Sequence, residues 1–375
     1  MRIAIWTGAM QYWSRVHPAN LWEPDAPQMG GSEATALMIA WQLAKDGHDV
    51  LLAAKVDYPE SLWGDKLRIV PLDVAQTLFF NERYEALVSW DDISFLRLAF
   101  DHIPVKMMAF QLNHCQIPYT IDYVIDWYLH PSQWHADRYV QEFGIPPEKQ
   151  LVGLTNGVAA EFVDADPLPR RQPHVLWCSS PDRGLHHLLG MWSAIKEQVP
   201  EAELHIYYDM DRWLQLISTA MQQGITFPTT DRAILVKNYL SLMLDPKSNS
   251  GVIYHGGVSR VQCYAGMLAG SVLAYTCDPV APTECFSMVM LEAMVAGLQV
   301  IASDADAFPE LWGGMPGVTL LPLPVTPDVW VDQVVKALQK GSAPALRPAP
   351  EKYTYPVIAR GWVNAIEKAM ERVDE

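Results

Sequence analysis

The 375 residues exceed what one hydrophobic core usually organises, and half of them are hydrophobic, so two folded domains are expected. A formal net charge of -16 excludes a generally basic surface for nucleic acid or anionic lipid, although a local basic pocket for a small anion fits within it. The five cysteines, Cys115, Cys178, Cys263, Cys277 and Cys285, form no Cys-x-x-Cys pair and no zinc-type spacing, which points to buried thiols in a reducing compartment.

In chain order, "RIAIW" (2–6) reads as a short buried strand, followed by a long irregular stretch, 7–31, that holds Tyr12, Trp13 and Trp22. "SEATALMIAWQLAKDG" (32–47) has helical spacing, with Ser32 as its expected N-cap and Gly47 as its C′ residue. Strand candidates follow at 48–54, 68–72, 86–90, 105–110 and 127–132. A helix is expected from Ser132 to Gly144, and "QLVGLTNGV" (150–158) closes the first half. The segment 163–173, with three prolines and no periodicity, reads as a linker.

The alternation then restarts. Strands are expected at 174–180, 202–208, 251–257, 272–277, 299–303 and 317–322, and helices at 184–200, 288–296 and 355–372. This succession describes two βαβ domains with a ligand cleft at the carboxyl ends of their sheets. The N-terminus does not read as a signal peptide, and no apolar run approaches the ~18–20 residues that span a bilayer, so a soluble cytoplasmic protein is expected, with room for peripheral membrane contact.

Four stretches fall where strands should end and helices begin. "QMGGSE" (28–33) offers Gly30 and Gly31 for close backbone approach at a helix start. "CSSPDRGL" (178–185) places Arg183 where a guanidinium clamps phosphate, unless it only pairs with Asp182. "FQLNHCQIP" (110–118) sets His114 after a strand end. In "PTECFSMVMLEAMVAG" (282–297), the N–H groups of Cys285, Phe286, Ser287 and Met288 are expected to face an anion at the helix start. Glu284 and Glu292 would repel that anion unless they grip hydroxyl groups, so a ligand bearing both phosphates and sugars resolves the conflict. The plainer alternative has both acids satisfied by backbone and Arg groups.

Taken together, these residues resemble a known family. "TECFSMVMLEAMVAGLQVIASD" is similar to the E-x7-E signature of retaining GT-B glycosyltransferases of the family 4 type, which includes enzymes of cell-envelope and glycan assembly. "MGGSE", "VGLTNGVAAEF", "SSPDRGLHHLL" and "YHGGVS" resemble further landmarks in family order. The resemblance implies an α/β GT-B fold: two Rossmann-like domains facing each other across a cleft, with the C-terminal helix crossing back to the first. The acceptor-side domain would span 1–163 plus about 355–375, and the nucleotide-sugar domain 172–350.

It further implies a retaining, metal-independent hexosyltransferase of carbohydrate biosynthesis, using a UDP-, GDP- or related sugar as substrate and no cofactor. Glu284 would contact the donor sugar, Glu292 the ribose, and Arg183, in place of the usual lysine, the diphosphate. Gly30, Gly31 and Ser180 would lie on the donor side, Val258 near the base, and His114 facing the sugar. The acceptor, a glycan, a lipid-linked sugar or a small molecule, would touch Tyr12, Trp13 and Trp22. Two departures stand out: Ser179 and Ser180 occupy the region of a second family cation, and Ser287 stands where glycine is usual. A sugar-nucleotide epimerase on the same scaffold, and a non-catalytic sugar-nucleotide binder, are the competing readings.

Overall fold

A computed structural model describes residues 1–8, 21, 23, 24, 26, 28–56, 61–90, 110, 111, 125–164, 171–225, 227–341 and 351–371. The chain divides into two units. The first comprises Met1–Leu21, Met29–Ala159 and Pro350–Glu375, and the second Trp22–Gln28 and Ala160–Ala349.

In the first unit β1 (Arg2–Trp6) is buried from Ile3 onward. A continuous apolar run of this kind belongs in a parallel sheet covered on both faces. Helix α1 (Gly31–Lys45) then returns the chain to β2 (Asp49–Ala54), which pairs with β1 in parallel, Ile3 opposite Val50. The N-cap of α1 is Gly30, in extended conformation, and not Ser32, which lies inside the first turn. Gly47, at φ +94°, ends the helix as its sequence position predicts.

Beyond β2 come β3 (Ser61–Trp63), β4 (Leu67–Pro71), α2 (Leu72–Asn81), β5 (Ala86–Trp90) and β6 (Phe110–Gln111), giving the sheet order β3-β4-β2-β1-β5-β6. Only β3 runs antiparallel, an edge strand the sequence pattern does not announce. β7 (Tyr128–His130) and β8 (Gln150–Val152) form a separate parallel pair, flanking α3 (Gln133–Phe143). Ser132 caps α3 by accepting from the His135 N–H, and Gly144 closes it in the left-handed region.

The second unit begins its described helices with the short α4 (Ala160–Asp164). β9 (His174–Trp177) leads through a single 3-10 turn, Pro181–Arg183, to α5 (Leu185–Gln198) and β10 (Glu203–Tyr207). Two helices absent from the sequence reading follow, α6 (Met210–Gln222) and α7 (Thr230–Met243). Asp209 caps α6 through the Arg212 N–H, and α7 buries Ala233, Val236 and Leu240 along one face.

Then come β11 (Val252–Gly256), α8 (Arg260–Ala269), β12 (Val272–Tyr275), α9 (Met288–Ala296), β13 (Gln299–Ser303), α10 (Phe308–Trp312), β14 (Val318–Leu321) and α11 (Pro327–Lys340). The order β11-β10-β9-β12-β13-β14, parallel throughout, is the doubly wound Rossmann order. Its direction of winding reverses between β9 and β12, which makes their carboxyl ends the switch point.

The last helix, α12 (Tyr355–Glu371), returns to the first unit. Tyr355, Ile358, Ala359, Trp362, Ala365, Ile366 and Ala369 form its buried stripe. The Trp362 indole N–H donates to the Leu154 carbonyl at 2.7 Å, and the Trp127 indole to the Ala365 carbonyl at 3.2 Å. A fully buried indole of this kind contributes roughly 3–5 kcal/mol against alanine. Among the described residues no helix is long and apolar enough to cross a membrane.

Candidate functional site

The switch point of the second unit carries the charged residues the sequence singles out. β9 ends at Trp177, and the chain turns through Ser179 and Ser180 into the 3-10 turn that presents Arg183. Gly184 follows at φ +128°, where a Cβ would lie 1.9 Å from the Thr276 carbonyl oxygen. Only glycine tolerates that approach. It lets the Thr276 hydroxyl donate to the Gly184 carbonyl at 2.8 Å and the Asp278 N–H to the Arg183 carbonyl at 2.8 Å. The ends of β9 and β12 are thus stitched together, and Arg183 is held between them.

Arg183 meets the segment after β12. Its guanidinium donates to Glu284 Oε1 at 2.6 Å and also to the Thr283 hydroxyl. Glu284 Oε1 accepts a further bond from the Tyr275 hydroxyl at 3.1 Å, and Tyr275 contacts the Ser179 hydroxyl at 3.1 Å. The Glu284 side chain is only 7% exposed and that of Arg183 22%. Burial opposes the charge on Arg183, but Glu284, with Tyr275, Asp182 and Cys277 adding to it, outweighs that and raises the guanidinium pKa, so the group stays ionised. Burial, with Glu284 adding to it, likewise pushes the Tyr275 hydroxyl and the Cys277 thiol well up, leaving both neutral donors. Asp182 does not pair with Arg183; it accepts from the Ser180 hydroxyl.

Glu292 lies on the buried helix α9 and pairs with Arg260, at the start of α8. Ser259 fixes that start through a reciprocal capping box with Gln262, and its hydroxyl also donates to the Pro24 carbonyl at 2.8 Å. Val258, just before this cap, is half-buried. Both acids are therefore satisfied by arginines, as the plainer sequence alternative held, and each pair joins residues far apart in sequence.

The loop before α9 is held from below. Asp306, itself at φ +50°, accepts from the N–H groups of Thr283 and Glu284, both at 2.9 Å. The Trp312 indole donates to the Phe286 carbonyl at 2.8 Å, with the two rings in edge contact at 5.1 Å. The Cys285 N–H bonds to the Thr283 carbonyl at 3.0 Å, so it closes the turn and does not face an anion as expected. Ser287 caps α9 with φ 72° and ψ 93°, a left-handed backbone that favours glycine. This explains why the family resemblance predicts glycine there. Met288 opens the helix.

Other sequence candidates fall elsewhere. A Cβ on Gly30 would sit 2.1 Å from Glu33 Oε2, so the buried Glu33 carboxylate folds back over this glycine in the first unit, next to Gly31. His114, Tyr12, Trp13 and Trp22 lie outside the described residues, as does Cys115. The four described cysteines are free; Cys277 and Cys285 are buried as whole residues, and Cys178 and Cys263 are half-buried residues whose thiols are buried against each other. Sequence reasoning missed Arg260 and Asp306. The Ser-x-x-Gln box around Arg260 and the acid just past β13 were the available signals, and neither reports a partner.

The architecture is that of the GT-B class, two Rossmann-like units with the last helix in the first. Residues 172–340, the span that holds Arg183, Arg260, Glu284 and Glu292, match the family model for glycosyl transferases group 1. Among solved structures the chain is similar to Anabaena Alr3699/HepE in complex with UDP and glucose, at 16% identity and a TM-score of 0.66, over 98% of this chain and 100% of that one. It is also similar to sucrose-phosphate synthase from Thermosynechococcus elongatus (14%, TM-score 0.65, 99% of both chains). A third likeness is to AviGT4, a glycosyltransferase involved in avilamycin A biosynthesis (13%, TM-score 0.64, 99% and 98%). No curated protein matches the sequence.

Proposed function

We propose that the chain is a retaining glycosyltransferase that moves a hexosyl group from a nucleoside diphosphate sugar to a hydroxyl acceptor. The observation that carries this reading is the Arg183–Glu284 pair at the switch point of a Rossmann sheet, beside the start of α9, within the span matched by the group 1 family model. A cation, a carboxylate and a helix start suit a ligand that is phosphate at one end and polyol at the other.

On this reading the donor diphosphate takes the guanidinium of Arg183 and the N–H groups at the start of α9, while Glu284 accepts from sugar hydroxyls. Glu292 holds the ribose diol, with Arg260 orienting that carboxylate. As the bond from the anomeric carbon to the phosphate oxygen breaks, negative charge grows on the departing diphosphate. Arg183 and the helix dipole stabilise it, so the donor phosphates need no divalent metal. The acceptor oxygen attacks the same face of the anomeric carbon, and its proton passes to the leaving phosphate oxygen, so configuration is retained. Gly30, Gly31 and His114 are assigned to the donor, and Tyr12, Trp13 and Trp22 to the acceptor, on the sequence resemblance and the stacking preference of aromatic rings alone. The UDP and glucose bound by the Anabaena relative make a UDP-hexose the first donor to try.

The experiment is a thermal-shift screen of UDP-, GDP- and ADP-sugars, followed by NMR of the product made with the stabilising donor. A donor that binds only the folded chain raises its Tm. Stabilisation by one nucleotide series and a product with the donor's anomeric configuration are expected, with turnover unchanged by chelator. An inverted product overturns retention, and an epimer formed from donor alone overturns transfer.

A further inference from the structure

A second polar cluster lies in the same unit on one face of the sheet, apart from the residues assigned to the donor. His174 opens β9 and stands directly opposite Glu203 on β10. His205, two residues along β10, projects from the same face because strand side chains alternate. His174 Nε2 and His205 Nε2 both lie 3.2 Å from one oxygen, Glu203 Oε2. The imidazole and carboxylate donor atoms of the three residues all fall within 4.8 Å of one another. The His174 and His205 rings stack at 4.0 Å. On the far side of His205, its Nδ1 meets His255 Nε2 of β11 at 2.9 Å.

We propose that His174, Glu203 and His205 bind one divalent transition-metal ion of the zinc class, with His255 orienting His205 from behind. Ligand atoms around tetrahedral zinc at about 2.0–2.1 Å sit roughly 3.3 Å from one another, close to the two separations seen here. Two imidazole nitrogens and one carboxylate are a ligand set that zinc takes with a water in the fourth position. With Nε2 on the metal, each ring carries its proton on Nδ1. His205 Nδ1–H then donates to His255 Nε2, the outer contact that fixes a ligating histidine's tautomer and orientation. Access is open, because Glu203 keeps 40% of its side chain exposed and His174 19%.

A second group, His186, His187 and Asp278, is a poorer site. The Arg232 guanidinium already holds Asp278 Oδ2 at 3.1 Å and would repel a cation there. The favoured cluster joins β9 directly to β10, so a bound ion would cross-link these two parallel strands, with His255 tying in β11 at the edge. Its role is to brace the unit, not to serve the donor phosphates.

The test is calorimetric titration of the chelator-stripped full chain with zinc chloride, with Tm followed alongside. One zinc per chain and a rise in Tm are expected. His174→Ala and Glu203→Gln should each weaken binding by about tenfold or more, and His255→Ala by about tenfold, the effect of losing an outer partner. His187→Ala should bind as the parent does. No saturable zinc binding by the parent overturns the proposal, and so does zinc affinity that survives both His174→Ala and Glu203→Gln or disappears with His187→Ala. His174 and Glu203 are partly exposed, so their variants fold even where His205→Ala does not. None of these outcomes bears on whether the chain transfers sugar.

Discussion

The two sheets differ in strand order, and their ion pairs differ in depth of burial. In the first unit the ion pairs Arg2–Glu82 (2.5 Å), Arg68–Glu82 (3.0 Å) and Lys66–Asp49 (2.7 Å) gather where strands begin. Arg2 and Lys66 keep 41% and 45% of their side chains exposed, and pairs so exposed contribute about 0–1 kcal/mol each. In the second unit Arg183–Glu284 and Arg260–Glu292 gather near strand ends, with no side chain above 22% exposure. A buried pair rarely adds net stability against an apolar core, yet removing one partner strands a desolvated charge. Charges kept in so costly a place are what make the second sheet's carboxyl edge the candidate site of the proposed function, whereas those of the first are surface pairs.

The largest effect should come from breaking the buried pair. Arg183→Ala should lower kcat by about a hundredfold or more, as losses of single charge-stabilising groups do. It should also destabilise the fold by roughly 3 kcal/mol, because Glu284 stays buried. Arg2→Ala, in the first unit, should change stability by about 1 kcal/mol at most and leave kcat alone. Chemical denaturation and steady-state kinetics read both; unchanged turnover in Arg183→Ala would remove that residue from the reaction.

Next in size is Asp306→Ala. It takes the acceptor from two N–H groups of the Thr283–Ser287 turn and should cost about 2 kcal/mol, with a raised donor KM as the turn loosens. A KM unchanged in this variant would show that the turn does not touch donor. Ser287→Gly should act oppositely. Relief of the left-handed backbone should add about 1 kcal/mol, a Tm rise of roughly 2–4 °C for a unit this size.

The smallest effect is a pH dependence. Burial, with help from His187 and Arg232, lowers the His186 pKa to about 4. A depressed histidine favours the folded state fully above the unfolded value near 6.5, and that contribution is lost as pH falls from 6.5 toward 4. His186 is partly exposed, so the loss should be on the order of 1 kcal/mol after screening. His186→Gln should flatten the Tm profile over that window; an identical profile would place the acid sensitivity elsewhere.

Much of this was legible in one dimension. Apolar runs such as "RIAIW" and "QVIAS" dictate buried parallel strands, and caps such as Ser132 and Gly144 fix helix ends, because burial and local hydrogen bonding depend on near neighbours. The spacing of Glu284 and Glu292 marked the candidate site, and the glycine expected at 287 was a backbone requirement that the serine meets at left-handed φ. Helices α6 and α7 escaped because an amphipathic pattern interrupted by polar residues declares itself only against the surface it covers.

What the chain could not state by itself was pairing. Arg183 and Glu284 are 101 positions apart, Arg260 and Glu292 are 32 apart, and His174 reaches Glu203 only because β9 and β10 lie side by side. Local sequence determined the strands, the turns and the residue types at their ends. The winding of the sheet decided which of those ends meet, because contacts between distant residues follow from how strands are ordered in space, and that order is a property of the whole packed unit.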